Sequence, residues 1–373
     1  MTEVVLTAEN PATTLAVHLF AQKSASELVP YRGARTAQRL DAPEVETRAL
    51  LHGAAVHDLG WLRRVAVRGE DRFRWLSGMV TNAVETLPEG FGAYNLVLNA
   101  QGRIQGDVYV WRNGDNLEVE MTAEQSEALL AHLDHFIIMD DVELVPLTNQ
   151  SALGITGPHA ERILAALGLP ALAEALSTTD GTVGDVKVRL DRGFGTIGVI
   201  VPHYALWADV GHISALWQAI LDAGATPVGA AALETLRIVE GIPAYGVDIQ
   251  SRDLAQETSQ TRALNFTKGC YLGQEIVERI RSRGQVHRHL RSVELFPESG
   301  FDMPPAGTEL RVAAGSEKPA AILTSVAAVH LDGVSRIFGI AMVRAEAEVG
   351  NHPLTYSGGK AQILNTAPKF TAA

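Results

Sequence analysis

The chain has 373 residues, 46% of them hydrophobic, with a formal net charge of -12 and a single cysteine. That charge argues against broad, non-specific nucleic-acid binding, and a lone cysteine excludes an intrachain disulfide framework. The N-terminal stretch has no basic n-region, and no uncharged apolar run reaches the roughly 18 residues of a membrane helix; the expectation is a soluble, cytoplasmic protein of two or three domains.

Residues 1 to 48 show little periodicity and read as an N-terminal extension, interrupted by Pro43. From His57 the pattern becomes regular. "RRVAVRGEDRFRWLSGMVTN" predicts a strand, a tight turn at Gly69, and a helix with Phe73, Leu76 and Met79 or Val80 on one face. "YNLVLNAQGRIQGDVYVWRNGDNLEVEMTA" predicts strands, with Asn113-Gly114-Asp115 supplying hairpin chemistry. A helix follows from Ala123 to about Phe136, with Leu129, Leu130 and Leu133 inward. "SALGITGPHAERILAALG" reads as a strand and a helix with Pro158 in its first turn. Another helix covers "ISALWQAILDAG". Beyond Gly284, short alternating runs punctuated by Gly, Pro and Asp predict a small β-barrel. The fold class is therefore α+β, with a body over 49–283 and a barrel domain over 284–373.

Gly193 to Gly198, "GFGTIG", matches a dinucleotide motif in letters. A β-branched run stopped by Pro202 follows it where a helix N-terminus is required, so it reads as a glycine-rich hairpin. His132 with His135, and His287 with His289, could share faces, but without HExxH or CxxC no metal site is expected. "KGCYLGQE", Lys268 to Glu275, holds the one cysteine. Gly269 would break a preceding strand, and Ile276, Val277 and Ile280 have helical spacing. Cys270 would then sit near a helix N-terminus beside Lys268, both favouring a thiolate; the competing reading is an inert cysteine packed as a small hydrophobe. Glu275 and Arg279 have the spacing of a helix ion pair. Arg279, Arg281, Arg283, Arg288 and Arg291, with His287 and His289, fall within thirteen residues. They form either a solvated face or an anion site for a polyglutamylated cofactor or an RNA backbone.

"KGCYLGQEIVERIRSRG" resembles the signature of the YgfZ family, folate-binding relatives of the glycine-cleavage T-protein (aminomethyltransferase). The likeness extends through "HDLGWLRRVAVRGEDRFRWLSGMVTN", "YNLVLNAQGRIQGDVYVW", "LGITGP" and "LETLRIVEGIPAYGVDI". The resemblance implies two interleaved ferredoxin-like subdomains and a C-terminal β-barrel around a channel for tetrahydrofolate, in a polyglutamylated form where the arginines meet its tail. It implies a role in iron–sulfur cluster assembly or repair in client enzymes, with a link to tRNA modification and an RNA contact at the basic patch. Cys270 would be the functional thiol, flanked by the motif residues Lys268, Gly269, Tyr271, Gly273, Gln274, Glu275 and Arg279. Tyr94, Asp107 and Arg237 would meet the folate, and Arg281, Arg283 and Arg288 would form the anion patch. The T-protein carries two adjacent aspartates where this chain has Gly106 and Asp107, the first being catalytic. On that match the chain lacks the positioned carboxylate and is not a glycine-cleavage aminomethyltransferase. The alternatives are a folate-dependent aminomethyltransferase in which Asp107 takes over, or a scaffold that binds folate or RNA without chemistry.

Overall fold

The computed structural model describes residues 27–193, 201–284, 286–312, 318–348, 353–366 and 368–370. The predicted hairpin at Gly193–Gly198 lies almost wholly outside them. Strands β1 (Leu28–Tyr31) and β2 (Ala34–Ala37) form a hairpin whose tip, Arg32-Gly33, has both residues at positive φ, 52° and 82°. Two such residues define the tight turn that suits the twist of paired strands. Helix α1 (Pro43–His52) follows, with Pro43 in its first turn. Pro43 therefore starts a helix instead of interrupting a segment: the missing N–H of proline costs nothing where no partner exists. The expected boundary at residue 48 falls inside α1.

Two sheets build the body. The first has the order β5-β6-β7-β4-β8, from β4 (Leu62–Arg68), β5 (Phe91–Leu98), β6 (Ile104–Asn113), β7 (Asn116–Thr122) and β8 (Glu143–Pro146). Helices α2 (Arg72–Met79) and α3 (Ala123–Asp134) cover one face, burying Trp75, Leu76, Met79, Leu129 and Leu133 against Val65, Val108 and Val119. Leu130 is only half-buried. The second sheet has the order β10-β11-β12-β9-β3-β13. Its strands are β3 (Ala55–Asp58), β9 (Gln150–Thr156), β10 (Thr178–Val183), β11 (Val186–Arg192), β12 (His203–Asp209) and β13 (Thr226–Pro227). Helices α4 (Ala160–Ala166) and α5 (Ile213–Asp222) pack on it through Ile163, Leu164, Leu216 and Ile220. Pro158 lies in the turn before α4, not in its first helical turn. The chain visits the second sheet at β3, crosses to build the whole first sheet, and returns at β9. That order interleaves two ferredoxin-like subdomains.

Helix α6 (Ala230–Val239) lies between α1 and the C-terminal barrel, sharing a core with Phe338 and Ile340. Helix α7 (Gln274–Arg283) precedes the closed barrel. The barrel runs β14-β17-β16-β15-β18-β19, from β14 (Arg288–Pro297), β15 (Glu309–Val312), β16 (Ala321–Leu331), β17 (Val334–Arg344), β18 (Leu354–Tyr356) and β19 (Gly359–Ile363). Its strands alternate buried and open positions, which fills the interior with Val293, Leu310, Leu323, Ala341 and Leu354. Among the described residues no helix is long and apolar enough to cross a membrane.

Candidate functional site

A cavity of about 280 Å³ lies where the two sheets, α6 and the N-terminal hairpin meet. Strand β6 supplies one wall by simple alternation: Asp107, Tyr109 and Trp111 line the cavity, whereas Val108 and Val110 are buried in the helix-covered core. Tyr94 from β5 stands beside them, its ring 5.0 Å from that of Tyr109, and the Arg262 guanidinium lies 4.6 Å from the Tyr94 centroid. Asp107 is held on both carboxylate oxygens. The Tyr94 hydroxyl donates to Oδ2 at 2.8 Å, and Gln125 Nε2 donates to Oδ1 at 3.0 Å. Burial and the neighbouring Asp107 charge push the Tyr94 phenol well above its usual range, so it remains a donor.

This geometry corrects the argument from Gly106. A Cβ at that position would stand 2.6 Å from Gln125 Oε1 and 3.1 Å from the Leu129 methyls. Position 106 thus faces α3, while Asp107 places a carboxylate on the cavity wall. A one-residue step on a strand exchanges faces, so the missing aspartate does not leave the cavity without a positioned carboxylate.

Arg237 also lines the cavity, but its fork is not open to a ligand. Nε donates to Glu234 Oε2 at 3.1 Å, Nη1 to Ile242 O at 2.7 Å and Asp248 Oδ2 at 2.6 Å, and Nη2 to Ser325 Oγ at 3.0 Å and to Glu234 Oε1. All five guanidinium donors are engaged. On a third side stands a chain invisible in the sequence. His57 Nε2 is 2.9 Å from Thr156 Oγ1, which is 3.3 Å from His203 Nδ1, and His203 Nε2 is 2.8 Å from Glu240 Oε2. Burial alone would lower the His203 pKa; the charge and hydrogen bond of Glu240 raise it instead.

The KGCYLGQE corner lies apart, against α2 and the turn before β6. Lys268 points inward and donates to the carbonyls of Ser77 (2.5 Å), Val80 (2.6 Å) and Asn82 (2.7 Å). Its three donors are used there, which removes it as the expected partner of Cys270. Burial pulls its pKa down to about 8, with Glu85 opposing. Tyr271 is buried in the body core, the Lys268 ammonium 4.9 Å from its ring centroid. Gly273 is at φ 81°, and a Cβ there would meet Asn99 O at 2.6 Å. The Gln274 side chain accepts from Tyr271 N at 3.2 Å. Cys270 itself is exposed, which overturns the packed-hydrophobe reading. It stands four residues before α7 begins, and no strand precedes Gly269.

The arginines separate by environment. Arg288 pairs with Asp253 and Glu257, both at 2.9 Å, and Arg281 with Glu278 at 2.9 Å. Arg279 and Arg283 are exposed on α7, and Glu275 and Arg279 do not form the expected pair. None of these arginines lines the cavity. Two of the four, Arg281 and Arg288, are thus paired locally, and the other two stay exposed away from the cavity wall. Among the described residues no group of three or more His, Cys, Asp or Glu could hold a metal ion. Alternation on β6 would have exposed Tyr109 as a wall residue; Arg262, His203 and Glu240 carry no local signal, because they converge from distant elements.

Residues 22–268 match the family described as the GCVT N-terminal domain. The chain belongs to that family. An aminomethyltransferase of Rubrobacter xylanophilus is 27% identical over 334 residues, 87% of this chain and 85% of the relative. One from Geobacillus kaustophilus is 28% identical over 342 residues, covering 87% and 88%. A putative chloroplastic transferase of Arabidopsis thaliana is 26% identical over 259 residues, 66% of this chain and 58% of that protein. In structure, the glycine cleavage system aminomethyltransferase T of Bartonella henselae superposes with a TM-score of 0.80 at 18% identity, covering 95% and 97%. That likeness is one of fold.

Proposed function

We propose that the protein binds tetrahydrofolate in the central cavity and, as a member of the YgfZ branch, acts as a cytoplasmic accessory of iron–sulfur cluster assembly or repair, with a link to tRNA modification. The carrying observation is the KGCYLGQE corner, where half-buried Lys268 and buried Tyr271 hold a fixed turn that presents the exposed Cys270. The cavity suits a planar, nitrogen-rich ring: Tyr94, Tyr109 and Trp111 give aromatic faces, and Asp107 offers a fixed acceptor. Tetrahydrofolate, when bound, supplies one-carbon chemistry; this chain supplies the walls and the carboxylate. The exposed Arg279 and Arg283 are the remaining candidates for an RNA contact. Calorimetry with tetrahydrofolate tests the binding, and absence of binding would remove the folate reading. Mono- and polyglutamates are expected to bind alike, because the α7 arginines do not line the cavity. In a deletion strain, Cys270→Ser is expected to fold and bind folate yet leave iron–sulfur enzyme activities depressed; full rescue would strip the thiol of its role.

A second reading, folate-dependent aminomethyl transfer, is favoured by Asp107 on the cavity wall. The accessory reading expects no transfer from a lipoyl carrier. Turnover that disappears in Asp107→Asn would establish the second reading in its place.

A further inference from the structure

Three side chains at one end of the cavity converge, through four donor groups, on a carboxylate belonging to the chain itself. Glu234, on α6, receives the Tyr31 hydroxyl at 3.2 Å and Arg32 Nη2 at 3.1 Å from the hairpin tip. Arg237 reaches the same carboxylate through Nε at 3.1 Å and through Nη2. Tyr31, Arg32 and Arg237 all line the cavity. The cations lie deeper than the anion: the Arg32 and Arg237 side chains are 7% and 11% exposed, that of Glu234 32%. Each guanidinium keeps another carboxylate if Glu234 leaves, since Arg32 stands 3.5 Å from Glu124 and Arg237 stands 2.6 Å from Asp248. Rotation of the half-buried Glu234 side chain would thus free four donor groups without dismantling the cradle.

We propose that Glu234 is an internal stand-in for a ligand carboxylate, and that a carboxylate-bearing molecule enters the cradle of Tyr31, Arg32 and Arg237 by displacing it. The exchange is carboxylate for carboxylate, so no charge is left unpaired in the buried end. Glu234 therefore sets affinity by competing for the site. The hairpin tip, with its positive-φ turn at Arg32-Gly33, becomes a ligand contact. The inference rests on the folate reading in that the acyl-glutamate end of a folate is the carboxylate expected there.

The test uses the full chain and two probes, tetrahydrofolate and p-aminobenzoylglutamate, the latter carrying the carboxylates without the pterin. Glu234→Ala should bind both roughly tenfold tighter than wild type, the scale of one charge-assisted hydrogen bond. A tetrahydropterin without the glutamyl group should show no gain, and adding Tyr31→Phe should take back part of it. If Glu234→Ala fails to melt cooperatively, Glu234→Gln carries the same comparison. Unchanged or weaker binding of p-aminobenzoylglutamate by a folded variant overturns the cradle and leaves only an ion-pair strut. Tighter binding of that fragment, with no added affinity from the pterin in tetrahydrofolate, upholds the cradle and overturns the folate reading.

Discussion

His57 lies against the backbone of its partner strand at Gly154, where a Cβ would stand 1.9 Å from the imidazole. Burial first, and then the charge of His203, push the His57 pKa down to about 3. An unfolded histidine titrates near 6.5. Between those values the unfolded chain binds a proton that the folded chain refuses, so this residue's stabilisation is complete above about 6.5 and is lost as pH falls toward 3. Urea titrations at pH 7, 6, 5 and 4 should show wild type losing about 1.4 kcal/mol more per pH unit than His57→Gln below pH 6; parallel curves would refute the assignment. Arg64 offers a second residue-scale case. It is buried between the Trp111 and Trp207 rings, donates to Glu118 at 3.3 Å and Glu120 at 2.7 Å, and reaches Asp191 on the other sheet. Arg64→Met should cost about 3–5 kcal/mol, because three carboxylates lose their shared cation. Adding Glu120→Gln should recover part of that in the same denaturation experiment.

At the scale of elements, periodicity carried the prediction well where burial has one clear side. Helix α3 ends two residues before its expected limit, and the Asn113-Gly114-Asp115 hairpin joins β6 to β7. The corner before α7 was legible as a motif but not as a geometry. Its lysine looked like a thiolate partner because the two are neighbours in sequence, yet burial of its ammonium requires acceptors, and those come from the end of α2 and the residues just beyond it. Lys268→Met should therefore strand three carbonyls and cost about 2–4 kcal/mol, whereas Cys270→Ser should change stability by less than about 0.5 kcal/mol at an exposed site. In the native protein Cys270 should react with a thiol reagent without denaturant. A thiol that reacts only after unfolding would contradict the exposed corner.

Across the whole molecule, one polar chain ties the parts together. The hairpin tip bonds Glu234, Glu234 bonds Arg237, Arg237 bonds Asp248, and Asp248 accepts from Thr324 and Ser325 of the barrel. A register shift between Leu323 and Ser325 in β16 lets both neighbouring hydroxyls reach that carboxylate. Asp248→Ala should loosen the barrel from the body, read as earlier proteolysis between 284 and 288 and a lower first melting transition; an unchanged cleavage pattern would show that the apolar contact of α6 with Phe338 and Ile340 suffices. The residues alone were enough for the α+β class, the terminal barrel and the kinship with the aminomethyltransferases, because period, turn chemistry and motif spacing are local properties. They could not show that position 106 faces a helix while 107 faces the cavity, that Arg237 has no free donor, or that Arg288 is neutralised while Arg279 is exposed. Those outcomes depend on strand register and on partners far away in the chain, which only packing brings within hydrogen-bond distance.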